Sequence, residues 1–164
     1  MTLPEGTSPT LEAIIHNHME LIYKVAFMYT QSIEDRNDLA QDIAYQICRS
    51  YKGFKGKSKL STWIYRIGIN TAISGYRKRQ VSSESLANND VADDDEASIK
   101  REQESGLRMA IQQLNDADKS LTLLFLEDLS YQEIGEITGL SENAVAVKIH
   151  RIKKKLKDIV HGTR

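Results

Sequence analysis

Residues Ser130 to Arg151, SYQEIGEITGLSENAVAVKIHR, decide the fold because they meet the physical requirements of a helix-turn-helix. Gly135 is small at the point where two helices would cross closely. Ser130 can cap the first helix and Gly139 can adopt the positive φ that ends it. Ser141 can accept a backbone hydrogen bond as the N-cap of the second helix. Four apolar residues can close the core of the motif: Ile134, Leu140, Val145 and Ile149. We therefore predict a helix-turn-helix, against the alternative of an ordinary helical hairpin with a charged outer face.

The second helix of this motif has an outward face that suits the DNA major groove. Its apolar stripe consists of Val145, Ile149, Ile152, Leu156 and Ile159. The residues predicted to enter the groove are Asn143, Ala146, Val147, Lys148, His150, Arg151 and Lys154. Arg151 could donate to guanine or phosphate, Asn143 could read an adenine, and Val147 could touch a thymine methyl group. Four lysines are predicted to neutralise DNA phosphates: Lys148, Lys153, Lys154 and Lys155.

Charge is distributed unevenly along the 164 residues, although the net charge is only −1. Residues 1–80 carry +4, residues 81–106 carry −6 and residues 107–164 carry +1. The last 17 residues hold seven basic side chains against Asp158 alone. Such a concentration of basic side chains indicates a polyanionic partner. The alternative is that these side chains form an ordinary solvated helix face.

The N-terminal part is predicted to contain three helices, because apolar residues recur there at every third or fourth position. The first runs from Leu11 to about Thr30. The second is centred on Ile43 and ends near Tyr51, and its Cys48 is expected to be a small core residue. The third, roughly from Thr62 to Arg79, packs on one side and presents aromatic and basic groups on the other: Trp63, Tyr65, Arg66, Asn70 and Arg77-Lys78-Arg79.

The stretch from Val81 to about Glu104 has few large apolar residues and contains the run Asp93-Asp94-Asp95-Glu96. Such a composition cannot bury enough surface to offset the entropy of ordering, so we predict a flexible acidic linker. After it, Leu107, Ile111 and Leu114 open a new helix with a separate small core. The predicted class is all-α, with two small helical domains at residues 8–80 and 107–161 and the linker at 81–106.

Several classes of protein are disfavoured by the composition. No apolar run approaches the ~20 residues that span a bilayer, and Met1–Glu12 lacks the layout of a signal peptide, so we expect a cytoplasmic protein. The four histidines and the single cysteine form no recognisable metal-ligand pattern. Neither a phosphate-binding glycine loop nor a nucleophile motif is present. We expect no catalytic residues, no metal and no cofactor.

Three segments, in this order, resemble the extracytoplasmic-function group of bacterial sigma factors: Asp38-Leu-Ala-Gln-Asp42, then FKGKSKLSTWIYRIGIN from Phe54 to Asn70, and finally Leu129 to Arg151. The resemblance covers nearly the whole chain. It implies two partners, core RNA polymerase and promoter DNA, and leaves open whether an anti-sigma factor covers the protein at rest. By this resemblance the protein directs promoter recognition, promoter melting and transcription initiation.

The resemblance also implies roles for particular residues. The N-terminal domain looks like sigma region two, whose second helix docks on the clamp of the polymerase, and Asp38, Gln41 and Asp42 occupy the matching polar positions. The basic loop Phe54–Leu60 and the helix after it match the reader of the minus-ten element, where an unpaired base is taken out of the stack. The residues implied are Lys55, Lys57, Ser58, Lys59, Trp63, Arg66, Asn70, Arg77 and Lys78. For Trp63, a place in the core and a role as a base platform both stay open.

The C-terminal domain looks like sigma region four, which reads the minus-thirty-five element in duplex DNA. Here the chain departs from the common pattern, because Ala146 and Val147 stand where basic and hydroxylated residues are frequent, and Lys148 where arginine is frequent. A distinct promoter preference is expected. Two alternatives remain: a helix-turn-helix regulator that never joins polymerase, and an adaptor that binds only proteins.

Overall fold

The computed structural model describes residues 9–82 and 98–162, with side chains at 9–75 and 105–162. All regular structure in these ranges is helical, which confirms the predicted class. The N-terminal half contains α1 (Leu11–Asn17), α2 (Met19–Tyr29), α3 (Ile33–Ser50), a short 3-10 turn (Tyr51–Gly53) and α4 (Leu60–Ser82). The C-terminal half contains α5 (Ser98–Gln112), α6 (Asp116–Leu126), α7 (Tyr131–Thr138) and α8 (Glu142–Gly162).

The N-terminal half is built on α2, α3 and α4, which pack against one another. Ile22, Val25, Ile43 and Ile64 have no exposed surface and form the centre of this bundle. Burying a side chain of this size contributes ~1.5–3 kcal/mol, so the three-helix contact is a large part of the stability of this half. The bundle holds the exposed sides of α3 and α4 in fixed directions.

The predicted first helix is two helices, divided at His18. The φ and ψ angles of His18 are −112° and 12°, outside the helical region, and its ring Nδ1 lies 2.7 Å from the carbonyl oxygen of Ile14. The His18 backbone N–H also lies 3.2 Å from the Ile14 carbonyl oxygen and 3.1 Å from that of Ile15, so backbone and ring together cap the end of α1. Apolar spacing cannot reveal such a break, because α1 and α2 bury the same face.

Helix α5 begins at Ser98, nine residues before the predicted start at Leu107. The sequence SIKREQES is poor in apolar residues, but most of its residues are good helix formers. Low hydrophobicity was therefore a poor guide to the end of the predicted linker. The acidic run at 93–96 lies outside the described residues.

Two predictions about burial are wrong. Cys48 is exposed, because it lies next to Ile47, the residue that α3 directs into the core. Tyr65 is only 6% exposed rather than presented to solvent, since α4 packs on both α2 and α7 and so buries a wider stripe than a surface helix does.

The two halves also share their buried apolar residues, rather than forming the separate cores predicted. Helix α6 packs on α2 and α7 packs on α4, and in the described part of the chain the buried side chains of both halves form one continuous cluster. Tyr29, which is 2% exposed, donates a hydrogen bond of 3.0 Å to the carbonyl oxygen of Asp116 across this contact.

Candidate nucleic-acid interface

The helix-turn-helix predicted at residues 130–151 is present, as α7, a turn and α8. The Ser130 hydroxyl accepts from the Glu133 N–H at 3.1 Å, and the Ser130 N–H donates to the Glu133 carboxylate at 2.8 Å, which completes a capping box. Gly139 ends α7 with a φ of +80°, and the Ser141 hydroxyl caps α8 by accepting from the Ala144 N–H at 3.2 Å. Both caps and the positive φ were predicted.

The angle between α7 and α8 depends on Gly135. A Cβ atom at this position would lie 2.5 Å from the carbonyl oxygen of Leu140, closer than real Cβ contacts come. Only glycine lets the chain after α7 approach so closely. The close approach holds α8 against α7 and thereby fixes the direction of its outer face.

The outer face of α8 is open to solvent. Val145, Ile149 and Ile152 are buried against the rest of the C-terminal half. Of the residues predicted to read DNA, Ala146 is half-buried, and the exposed ones are Asn143, Val147, Lys148, His150, Arg151 and Lys154. The structure brings these residues together on one side of one helix, as a major-groove reader requires.

A basic notch lies beside this face, where α8 meets the start of α6. Lys148, Arg151 and Lys155 line it together with Asn115 and Asp118, and its volume is about 260 Å³. Lys153 lies apart from these residues, with its ammonium 4.3 Å from the centre of the Phe125 ring. Such a cation–π contact supports the packing of α6 on α8, so Lys153 is not placed with the phosphate-neutralising lysines.

The predicted single-strand reader lies on α4 and on the loop before it. Lys55, Lys57, Arg66 and Asn70 are exposed and Ser58 is half-buried. Lys59 is exposed too, but it pairs with Glu133 of α7 at 3.1 Å. The side chains of Arg77 and Lys78 lie outside the described ones. The described residues thus form a polar strip from the basic loop along α4.

Trp63 is half-buried within an aromatic cluster. Its ring centre lies 5.0 Å from that of Phe54 and 6.3 Å from that of Tyr51. These distances are typical of favourable aromatic pairs. Neither Tyr51 nor Phe54 was predicted as a site residue, although Tyr51 precedes the basic loop and Phe54 begins it. The cluster fixes one end of that loop and leaves part of Trp63 accessible.

Arg66 and Lys59 are both held by α7. Arg66 donates to the carbonyl oxygen of Glu136, and Lys59 bonds the Glu133 carboxylate. The backbone N–H of Ser130 and then the ammonium of Lys59 hold the pKa of Glu133 below its ordinary value. Sequence reasoning missed these contacts, because they join residues about 70 positions apart and no local pattern encodes them.

The predicted polymerase-docking residues share one exposed side of α3. Asp38, Gln41 and Asp42 are spaced three and four positions apart, so they are neighbours on the helix surface. Leu39, Ala40 and Ile43 are buried on the opposite side. The contact between the two halves is made mainly by α2 and α4 on the N-terminal side.

Neither a metal site nor a membrane span is found among residues 9–82 and 98–162. No cluster of three or more potential metal ligands occurs there. None of the helices in those ranges is long and apolar enough to cross a bilayer.

Two family descriptions match the chain. Residues 14–81 match Sigma-70 region 2, and residues 106–156 match Sigma-70, region 4. The chain is 30% identical to the RNA polymerase sigma factor YlaC of Bacillus subtilis over an alignment of 156 residues, which covers 90% of this chain and 90% of YlaC. It is 26% identical to SigV of the same organism, covering 96% of this chain and 95% of SigV.

Solved structures with the same fold include CnrH in complex with the cytosolic domain of CnrY. The TM-score is 0.70 at 17% identity, covering 94% of this chain and 89% of the other. RpoE bound to the anti-sigma factor NepR from Bartonella quintana has a TM-score of 0.67 at 18% identity, with 92% and 96% covered. Together with the two matched regions and the relatives, this fold shows that the chain belongs to the extracytoplasmic-function group of RNA polymerase sigma factors, which direct promoter recognition and the initiation of transcription.

Proposed function

We propose that three separate surfaces of this sigma factor perform three separate steps of initiation. The α3 face (Asp38, Gln41, Asp42) docks on core polymerase, the α4 strip grips an unpaired minus-ten strand, and the α8 face reads the minus-thirty-five duplex. The α4 strip here means Lys55, Lys57, Ser58, Lys59, Trp63, Arg66, Asn70, Arg77 and Lys78. The observation that carries the proposal is that the exposed polar residues of α3, α4 and α8 each lie opposite a buried apolar stripe.

The α8 face suits duplex DNA, because a helix fits the major groove and its cations can reach the phosphates on either side. Arg151 is positioned between the face and the basic notch, so it can donate to a guanine edge or to a phosphate. Ala146 and Val147 can make only apolar contacts. Fewer direct hydrogen bonds to bases leave more of the preference to the shape of the DNA.

The α4 strip suits a melted strand. Unstacked bases bind to aromatic faces and amide groups, and cations follow the backbone. The accessible part of Trp63 provides an aromatic edge near the loop lysines, and Asn70 provides an amide two turns further along α4. The arrangement gives the strand a basic entrance and a polar track.

We further propose that residues 8–80 bind polymerase and the minus-ten element, that residues 107–161 bind the minus-thirty-five element, and that residues 81–106 link them. Helix α5 begins within this linker, at Ser98. We propose that the chain is not itself an enzyme and acts in the cytoplasm, where core polymerase catalyses RNA synthesis.

An anti-sigma factor is a further proposed partner, supported by the two structural neighbours solved in complex with CnrY and NepR. If it exists, the tagged chain purified from unstimulated cells should carry a stoichiometric second protein, and its absence there would count against it.

The test separates the three steps with paired variants. Asp42→Asn should weaken binding to core polymerase, whereas Glu12→Gln, an exposed acid on α1, should not. Asn70→Ala should leave the closed promoter complex intact and reduce strand opening, measured with a fluorescent base placed in the minus-ten element. Its control is Ser74→Ala, also exposed on α4.

For the third surface, Arg151→Ala should weaken the closed complex itself, and Lys157→Ala, an exposed lysine further along α8, should have a smaller effect. The proposal fails if the three variants reduce the same step, or if each variant equals its control.

A further inference from the structure

Two arginines approach one phenylalanine ring at the surface of the protein. The guanidinium carbon of Arg36, on α3, lies 4.4 Å from the centre of the Phe27 ring of α2, and that of Arg108, on α5, lies 4.2 Å from the same centre. Phe27 is 42% exposed and both arginines are half-buried, so solvent reaches all three side chains. We call these three residues the arginine cluster.

Arg36 has an environment that disfavours its charge. Burial and then the like charge of Arg108 lower the pKa of Arg36, so the protein keeps this cation at a cost in free energy. Its Nε is buried and has no hydrogen-bond partner among the described residues. A buried N–H group without a partner is rare in proteins, and a bound ion is one of its explanations. The group that would satisfy both arginines is an anion.

No carboxylate neutralises the arginine cluster within the described part of the chain. The ion pairs formed by residues 9–75 and 105–162 involve Lys24 and Lys59 rather than an arginine. Asp35 and Asp38 are close to Arg36 in the sequence, but residues one and two positions apart on a helix do not face each other. Both guanidinium charges are therefore available to a ligand from solution.

The packing around the arginine cluster holds its two cations in place. Gln112, one turn beyond Arg108 on α5, donates to the carbonyl oxygen of Met28 of α2 at 3.5 Å. The backbone N–H of Arg36 donates to the carbonyl oxygen of Ser32 at 3.0 Å, in the first turn of α3. Three helices thus bring the two guanidinium groups together before any ligand arrives, which lowers the entropic cost of binding one.

We propose that Arg36 and Arg108 form a binding site for a pyrophosphate group at the Phe27 ring. Guanidinium groups pair with phosphate oxygens through two parallel hydrogen bonds. A pyrophosphate group has two phosphoryl groups and can offer one to each arginine, whereas orthophosphate has one group for both. The site shares no residue with the three surfaces proposed for polymerase and DNA.

A compact anion suits the arginine cluster better than a nucleic-acid strand. Glu34, Asp35 and Asp38 lie before and after Arg36 on α3, and all three are exposed. A long polyanion that crossed this part of α3 would be repelled by their charges. A pyrophosphate group is small enough to contact the two arginines alone, either as the free ion or as the diphosphate of a nucleotide.

Calorimetric titration of the full-length protein with sodium pyrophosphate, at constant ionic strength, tests the site. The wild type should bind one pyrophosphate per chain, about tenfold or more tightly than orthophosphate, because the second phosphoryl group gains the second arginine. Arg36→Gln and Arg108→Gln should each weaken this binding about tenfold or more, since each removes one charge-assisted pair.

Arg49→Gln is the matched control, because Arg49 is an exposed arginine on the same helix α3. It removes the same charge from the protein and should change the affinity by less than about twofold, since salt screens exposed charges that do not touch the ligand. Equal losses in Arg49→Gln, Arg36→Gln and Arg108→Gln would mean that pyrophosphate responds only to net charge, and would overturn the site.

Thermal unfolding separates a binding role from a purely structural one. If the arginines form a site, pyrophosphate should raise the melting temperature of the wild type and of Arg49→Gln, but not of Arg36→Gln or Arg108→Gln. If they only support the packing of Phe27, the two variants should be less stable without ligand, and pyrophosphate should leave the wild type unchanged. The second result overturns the proposal.

Titration with ADP and GDP under the same conditions identifies the source of the pyrophosphate group. Tighter binding of a nucleotide than of pyrophosphate assigns the site to a nucleotide, and tighter binding of pyrophosphate assigns it to the free ion. Absence of saturable binding by all three overturns the proposal. If Arg36→Gln and Arg108→Gln then weaken binding to single-stranded DNA, the arginine cluster contacts a nucleic-acid backbone instead.

Discussion

Replacing Gly135 with alanine should destabilise the protein, although alanine is the better helix former. At an open helical position, glycine to alanine stabilises by ~0.5–1 kcal/mol. At Gly135, however, the added Cβ would be 2.5 Å from the Leu140 carbonyl oxygen, so backbone must move by at least ~0.5 Å to reach a contact that proteins show. Overpacking of this kind costs ~1–3 kcal/mol, which leaves a net loss of up to ~2.5 kcal/mol, and ~1 kcal/mol for values in the middle of both ranges.

Gly75→Ala is the matched control, because Gly75 lies in α4 and a Cβ there meets nothing within 4 Å. Urea unfolding followed by circular dichroism should place the two variants on opposite sides of the wild type, ~1–3 kcal/mol apart with equal slopes, because only Gly135→Ala carries the overpacking cost. Gly135→Ala should also weaken binding to minus-thirty-five DNA, because the shift turns the α8 face. Equal stabilisation by both substitutions would refute the close approach of α7 and the turn.

Three further predictions concern single side chains. Arg151→Ala should cost ~1–3 kcal/mol in binding to the specific duplex if Arg151 contacts a guanine, and an equal loss on all sequences in a competition assay would assign it to phosphate. Ser130→Ala removes one half of the capping box and should lower the free energy of unfolding by ~1 kcal/mol, whereas Ser130→Asp should retain most of it in thermal unfolding. Because burial raises the pKa of Tyr65 from 10.0 to about 12, its contribution to stability is fully present below pH 10 and is lost as the pH rises through about 12. Tyr65→Phe should therefore flatten the alkaline fall in stability, and an unchanged pH profile would exclude Tyr65 as its source.

The sequence was sufficient for features that depend on neighbouring residues. The caps at Ser130 and Ser141, the positive φ of Gly139 and the buried stripe of α8 each follow from spacing within one or two turns, and all are present. The outer face of α8 was therefore predictable residue by residue, apart from the half-buried Ala146. The family of the protein could be predicted from three short segments, and the two matched regions and the relatives confirm that prediction.

Features that depend on distant residues could not be predicted in the same way. Cys48 and Tyr65 were assigned from their positions on single helices, but their exposure depends on which other helices pack there. The pairing of Lys59 with Glu133 and of Lys24 with Glu127 needs the docking of one half on the other. No periodicity within either half encodes that docking.

Transcription in vitro shows whether this protein gives core RNA polymerase a promoter preference. Core polymerase from the source bacterium would transcribe fragmented genomic DNA with and without the protein, and the transcript starts would be sequenced. We expect new starts that share two spaced upstream motifs and that are lost with Arg151→Ala or Asn70→Ala. An unchanged set of starts, with active core and folded protein, would mean that the protein confers no promoter preference.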